Sequence, residues 1–182
     1  LGDVYKRQGG ALVDLKGNLV GINTAIATPT GTFAGYSFAV PSNLVKKVYN
    51  DLTEFGVVQR ALLGITILDV NAQMAEENDL PVVTGVMIDR VNGGGAADDA
   101  GLESGDVIIN INGVEIKNVS NLQEQVAINR PGDKILVTYI RDGKTKTTNA
   151  TLKNTLGTTE VVASTNSFLS LIHISEPTRR YR

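Results

Sequence analysis

The stretch Ala96-Ala97-Asp98-Asp99-Ala100-Gly101-Leu102-Glu103-Ser104-Gly105-Asp106-Val107-Ile108-Ile109 packs several structural signals into a short span. Gly93-Gly94-Gly95 opens a loop into it, and the alanines and aspartates predict a short helix around Ala96 to Ala100. Gly101 and Gly105 punctuate the chain. Val107, Ile109 and Ile111 then alternate as a half-buried strand that runs into Asn112-Gly113, the strongest short-range hairpin signal.

Outward from this stretch the same grammar repeats. Upstream, Ile65 to Val70 and Gly85 to Val91 read as strands, separated by a helix or loop through Glu77. Downstream, Asn121 to Asn129 carries Leu122, Val126 and Asn129 at helical spacing and is closed by Pro131-Gly132. Lys134 to Arg141 and Lys144 to Leu152 flank Asp142-Gly143, a second hairpin. About six strands and two short helices in this region predict a small, partly open barrel of the α+β kind. Asn154 to Ser167 is polar and reads as a linker.

The region before Val58 has a different rhythm. Ala11 to Leu15 and Leu19 to Ala27 flank the turn residues Lys16-Gly17-Asn18 and predict a hairpin. Val20, Ile22 and Ile26 share one face of it. Tyr36, Phe38 and Val40 alternate as a third strand ended by Pro41. A helix follows, with Ser42 expected as its N-cap, Leu44, Val45, Val48, Tyr49 and Leu52 at helical spacing, and Gly56 as its C-terminal cap. So few residues are near the lower limit for an independent core, so this unit reads as incomplete.

Composition bounds the functions. The 182 residues are 42% hydrophobic and 20% charged, as in globular proteins. No run approaches the roughly 18 apolar residues of a membrane-spanning helix, and no signal-peptide pattern opens the chain. The absence of cysteine excludes disulfides, thiolate metal sites and a cysteine nucleophile. A net charge of −2 offers no basic field for phosphates, so no nucleic-acid partner is expected.

Both termini read as artificial. Leu1 to Gln8 can be encoded as CTC GGA GAT GTG TAT AAG AGA CAG, and the reverse complement of that string translates to the residues found at Leu169 to Glu176. The string resembles the transposon-end adapter of DNA library preparation, and Pro177, Thr178 and Arg179 continue it. Residues 1–8 and 169–182 are therefore expected to be sequencing scars, with Phe168 about the last natural residue. They contain five basic residues (Lys6, Arg7, Arg179, Arg180, Arg182), two acidic ones (Asp3, Glu176) and the only histidine, His173. The remainder carries a net charge near −5 and has no imidazole for a Ser-His-Asp triad or a histidine-ligated metal.

Arg60-Ala61-Leu62-Leu63-Gly64-Ile65, Gly85-Val86, the run from Ala96 to Ile109, Pro131-Gly132-Asp133-Lys134 and Arg141-Asp142-Gly143 occur in the order of a PDZ domain, which residues 58–153 resemble. The resemblance implies binding of peptides or unfolded-protein C-termini that end in apolar residues. Such binding needs consecutive free amides in a glycine-bearing turn to hold a carboxylate, and a strand edge for the peptide to join. The implied site residues are Leu62, Leu63, Gly64 and Ile65 in the turn and first strand, Leu122, Gln125 and Val126 on the helix, and Arg60 as nearby charge. A plain core role for Leu62, Leu63 and Val126 remains the alternative.

Residues 9–57 carry a second ordered set: Gly9-Gly10-Ala11-Leu12-Val13, Gly21-Ile22-Asn23-Thr24 and Gly35-Tyr36-Ser37-Phe38-Ala39-Val40-Pro41. The set resembles the end of the catalytic domain of HtrA/Do serine proteases, just beyond the nucleophile. The fold implied for the whole is mainly β with short helices: the C-terminal part of a chymotrypsin-type β-barrel with a connecting helix, then a PDZ domain, then a linker over residues 154–168. In this alignment Gln8 fills the nucleophile position, Gly9 and Gly10 lie beside the oxyanion hole, and Asn23, Thr24, Ala25, Tyr36, Ser37 and Phe38 wall an acid-free specificity pocket. The chain as written is therefore expected to be inactive, as a piece of a parent endopeptidase.

The family resemblance further implies protein quality control outside the cytoplasm, in the periplasm, trimers or larger assemblies, and no metal or organic cofactor. Gly93-Gly94-Gly95 lacks the Gly-Lys-Ser/Thr of a phosphate loop, and Glu76-Glu77 and Asp98-Asp99 fit no calcium-loop pattern. A non-catalytic PDZ scaffold protein is the competing reading. A tail-specific protease with a Ser/Lys pair, the third, is disfavoured by the Gly-Ile-Asn-Thr strand preceding the PDZ region.

Overall fold

A computed structural model describes residues 9–25, 38–77 and 80–163. The expected scars, His173, Ile26, Tyr36 and Ser37 lie outside the described residues. The described residues are mainly β with short helices and form two sheets. None of their helices is long and apolar enough to cross a membrane.

The first sheet has three antiparallel strands: β1 (Ala11–Val13), β2 (Leu19–Ala25) and β3 (Phe38–Pro41), in the order β1-β2-β3. Asp14 builds the β1–β2 turn, accepting the Lys16 and Asn18 amides on Oδ1 and the Asn18 side chain on Oδ2, each at 2.8 Å. Gly17 supplies the positive φ of 82° that the turn needs. This sheet is open, not a closed barrel. Leu12, Val13, Leu19 and Val20 are each between 44% and 55% exposed on it, and Leu15 in the turn is fully so. Apolar residues left in water contribute nothing to a core, and open strand edges admit a protease. Limited trypsin or thermolysin digestion is expected to cut the β1–β2 hairpin well before the second sheet; late cleavage at equal rates in both units would contradict this.

Helix α1 (Ser42–Phe55) joins the two units. The expectation for its N-terminus is corrected: Ser42 is already helical, and Pro41 occupies the capping position with no side-chain cap. Proline has no N–H to leave unpaired and its fixed φ suits a helix entrance, so it displaces the serine from that role. At the other end Gly56 adopts φ 73° and its N–H reaches the Leu52 carbonyl, the expected glycine cap.

The second sheet contains β4 (Ile65–Asp69), β5 (Val86–Val91), β6 (Val107–Ile111), β7 (Val114–Glu115), β8 (Lys134–Arg141) and β9 (Lys144–Thr151), in the order β4-β5-β6-β8-β9, with β7 paired to β6. The helices α2 (Ala72–Glu77), α3 (Ala96–Asp99) and α4 (Val119–Ala127) pack around it. Both hairpin signals are realised: Asn112 and Gly113 have φ of 51° and 85°, Asp142 and Gly143 of 53° and 70°. Paired positive φ values match the twist of the flanking strands. One continuous core joins Ile88, Ile108, Ile111, Ile135 and Val137 from the strands to Ala96, Ala97 and Leu122 from the helices.

The polar segment after β9 folds back onto the domain. Asn154 accepts the Leu156 and Thr158 amides and donates to Thr158 Oγ1 and the Glu160 carbonyl. Val162 exchanges two hydrogen bonds with the buried Gln59 side chain, at 2.6 and 2.8 Å. Through Val162, the residues read as a linker are thus hydrogen-bonded to the residue just before Arg60.

A candidate peptide-binding groove between β4 and α4

The turn ahead of β4 is shaped by two glycines. Gly64 has φ +80°, and a Cβ there would come within 3.2 Å of the Gly95 Cα. A Cβ on Gly95 would in turn meet the Asn92 carbonyl oxygen at 2.9 Å. The Gly93–Gly95 loop is therefore a seat for the Gly64 turn, a role its composition alone does not reveal. Asn92 donates to the Gly64 carbonyl and Ala97 to the Leu63 carbonyl, at 2.9 and 2.8 Å, which fixes both peptide planes from below. Leu62 exchanges backbone hydrogen bonds with Lys153. The consecutive N–H groups of Leu63 and Gly64 find no acceptor among the described residues.

A cavity of about 540 Å³ opens beside this turn. Arg60, Leu62, Leu63, Gly64 and Ile65 line it from the turn and β4, and Leu122 and Val126 line it from α4. β4 ends the strand order, so its outer edge is unpaired in the sheet. The far end of the groove is fixed as well: Asp69 Oδ1 accepts the Val119 amide at 2.6 Å, tying β4 to the first turn of α4. Asn118 caps α4 by accepting the Asn121 amide, so the helix begins before the expected Asn121.

Not every expected residue meets there. Gln125 is absent from the cavity lining, whereas Gln123 and Ala127 belong to it. At 100° per residue the lining positions 122, 123, 126 and 127 centre on one stripe, and position 125 falls roughly 130° away from its middle. Leu63 and Leu122 are 4% and 2% exposed, so their side chains serve the core and Leu63 offers the groove mainly its backbone. Val126 is half-buried and Leu62 exposed. Arg60 is exposed, with no hydrogen bond or ion pair among the described residues.

The cavity is also lined by Leu44, Lys47 and Val48 of α1 and by Val58 and Gln59, none of which the sequence pattern marks as site residues. Asp51, fully buried, holds α1 in place. Its carboxylate pairs with Lys47 and with Arg130 Nε, each at 2.8 Å, and accepts the Gln59 amide at 2.9 Å. Burial works against its charge, yet the hydrogen bonds from Lys47 and the Gln59 amide and the neighbouring cations hold the carboxyl below its ordinary range. Lys47 also donates to the Gln59 carbonyl.

In the first sheet Gly9 donates to the Asn23 carbonyl at 2.7 Å, and the Asn23 amide donates back to Gly10 at 2.9 Å. The hairpin therefore sets Gly9 and Gly10 beside Asn23, with Thr24 and Ala25 following on β2 and Phe38 paired to Ala25 on β3. Gln8 lies outside the described residues. Asp98 accepts the Gly94 amide, and Asp99 pairs at 2.5 Å with Lys153, whose Nζ also donates to the Gly94 carbonyl, so both serve the glycine loop. No group of three or more metal-ligating side chains forms among the described residues.

A family model described as "PDZ domain" matches residues 57–152. A probable periplasmic serine protease do/HhoA-like of Haemophilus influenzae is 42% identical over 136 residues, covering 75% of this chain and 29% of that protein. The periplasmic serine endoprotease DegP of Escherichia coli is 39% identical over 145 residues, covering 80% of this chain and 31% of that protein. The solved structure of the HtrA-type protease AlgW with a decapeptide is 37% identical, with a TM-score of 0.59 over 80% of this chain and 45% of that one. The chain thus spans about 30% of the length of the curated relatives it matches. The glycine turn, the β4–α4 groove and these matches together place the chain in the PDZ domain family, homologous to the HtrA/DegP serine endopeptidases.

Proposed function

We propose that residues 58–153 bind extended peptides with an apolar last residue and a free C-terminal carboxylate. One observation carries the reading: two consecutive amides without acceptors among the described residues, in a glycine turn at the head of a strand edge that no described strand pairs, beside an apolar cavity. The amides of Leu63 and Gly64 hold the carboxylate, and Arg60 adds positive charge near it. The peptide backbone pairs with β4 from Ile65, and Val126 contacts its side chains, with Leu122 as the core floor behind it. A groove this short buries less than the roughly 1,200 Å² of a stable interface, so the affinity is about micromolar at best.

In the same reading residues 9–57 are the closing strands and connecting helix of a trypsin-like protease domain. Gly9 and Gly10 stand next to its oxyanion hole, and Asn23, Thr24, Ala25, Tyr36, Ser37 and Phe38 form its specificity pocket. The homologues are named as periplasmic serine proteases, which supports an extracytoplasmic parent enzyme; in this reading its substrates are misfolded proteins. That parent works as a trimer or larger assembly. Substitution of Val126 tests the groove, because Val126 is half-buried and its loss leaves no deep cavity. Val126→Ser is expected to weaken an apolar-ended peptide about fivefold or more in a calorimetric titration without lowering the melting temperature appreciably. Unchanged affinity would remove α4 from the site.

A further inference from the structure

We propose that α1 is a third wall of the groove, and that Leu44 and Val48 set its selectivity for the peptide's last side chain. The inference rests on the peptide-binding reading above. A strand and one helix suffice to hold a peptide by its backbone; here a second helix borders the same cavity. Leu44 and Val48 are one helical turn apart, both partly buried, and both line the space that Ile65 and Val126 also line.

The position of α1 is not left to its covalent links. Arg130 grips it twice, through Nε to the buried Asp51 at 2.8 Å and through Nη2 to Glu54 at 2.9 Å. The Arg130 guanidinium also lies 4.9 Å from the centre of the Phe55 ring. Nearer its start, Asn43 Nδ2 donates to Glu124 Oε1 on α4 at 3.0 Å. A helix anchored at both ends to the domain that holds the cavity presents a fixed apolar surface, and a fixed surface discriminates between side chains by the contact each can make. At about 540 Å³ the cavity is large enough to seat a bulky terminal side chain against all three walls. The occupant of the α1 face is therefore the last side chain of the bound peptide, and a large apolar one is preferred over alanine.

The test uses the full chain and two ten-residue peptides that differ only in ending with phenylalanine or alanine, each as free acid and as amide. The unaltered chain is expected to prefer the phenylalanine acid over the alanine acid. The double variant Leu44→Ala/Val48→Ala is expected to reduce that preference about fivefold while keeping the preference for acid over amide. Val48→Thr, which keeps the side-chain shape and adds a hydroxyl to the wall, is expected to act in the same direction with the fold intact. Retained acid preference with unchanged phenylalanine-to-alanine discrimination in both variants would overturn the third wall alone. Equal affinity of acid and amide for the unaltered chain would overturn the groove reading and this inference with it.

Discussion

Arg141→Ala is expected to destabilise the second sheet by about 3 kcal/mol, the cost of leaving a buried carboxylate without its cation. Asp106 is 1% exposed, and Arg141 meets it with two parallel hydrogen bonds of 2.6 Å, from Nε to Oδ1 and from Nη2 to Oδ2. The same guanidinium pairs with Glu103 at 2.8 Å, donates to the Gly101 carbonyl at 2.9 Å and lies 5.2 Å from the centre of the Tyr139 ring. Its hydrogen bonds to Asp106 outweigh its burial and hold it charged, with its pKa raised further above its already high ordinary value. Asp106 Oδ2 also accepts the Glu103 amide at 2.8 Å, so this one arginine closes the Gly101–Asp106 turn onto β8. Lysine cannot reproduce the fork, and Arg141→Lys should recover only part of the loss. A denaturant melt followed through the second sheet measures it; a change under about 0.5 kcal/mol, the range of an ordinary surface substitution, would show the pair to be dispensable.

Gly64→Val is expected to weaken peptide binding at least about tenfold and to erase the preference for a free carboxylate. The left-handed region costs a side chain roughly 1–2 kcal/mol, more when β-branched. Here the new Cβ would also press on the Gly95 backbone at 3.2 Å, where no flexible side chain can give way. The strain is relieved only by moving the turn, which carries the Leu63 and Gly64 amides with it. Titration of the variant with a free-acid peptide and its amide reads the effect directly. Wild-type affinity with carboxylate preference intact would place the anion elsewhere.

The sequence discloses the second sheet because its turns are local chemistry. Asn112-Gly113 and Asp142-Gly143 take positive φ wherever they sit, and alternation around Val107 and Lys134 then sets which faces meet. The turn ahead of β4 was legible for the same reason, through the glycine at position 64, which takes φ +80°. What local pattern could not show was where α1 would lie. Leu44 and Val48 look like ordinary core residues of an amphipathic helix, and Asp51 in the same helix reads as solvated. Its burial depends on Arg130, Lys47 and the Gln59 amide, partners that only the tertiary fold brings together. The expectation of Gln125 in the groove failed for a comparable cause, since the groove face of α4 is set by the Asp69 tie and the Asn118 cap rather than by spacing alone.

Titrating an apolar-ended ten-residue peptide against its C-terminally amidated twin tests most directly the proposed seat of a peptide carboxylate on the Leu63 and Gly64 amides. The free acid should bind at about micromolar dissociation constant and the amide at least about tenfold more weakly, since the turn loses the anion its unpaired N–H groups require. Equal affinities for the two peptides would contradict the assignment.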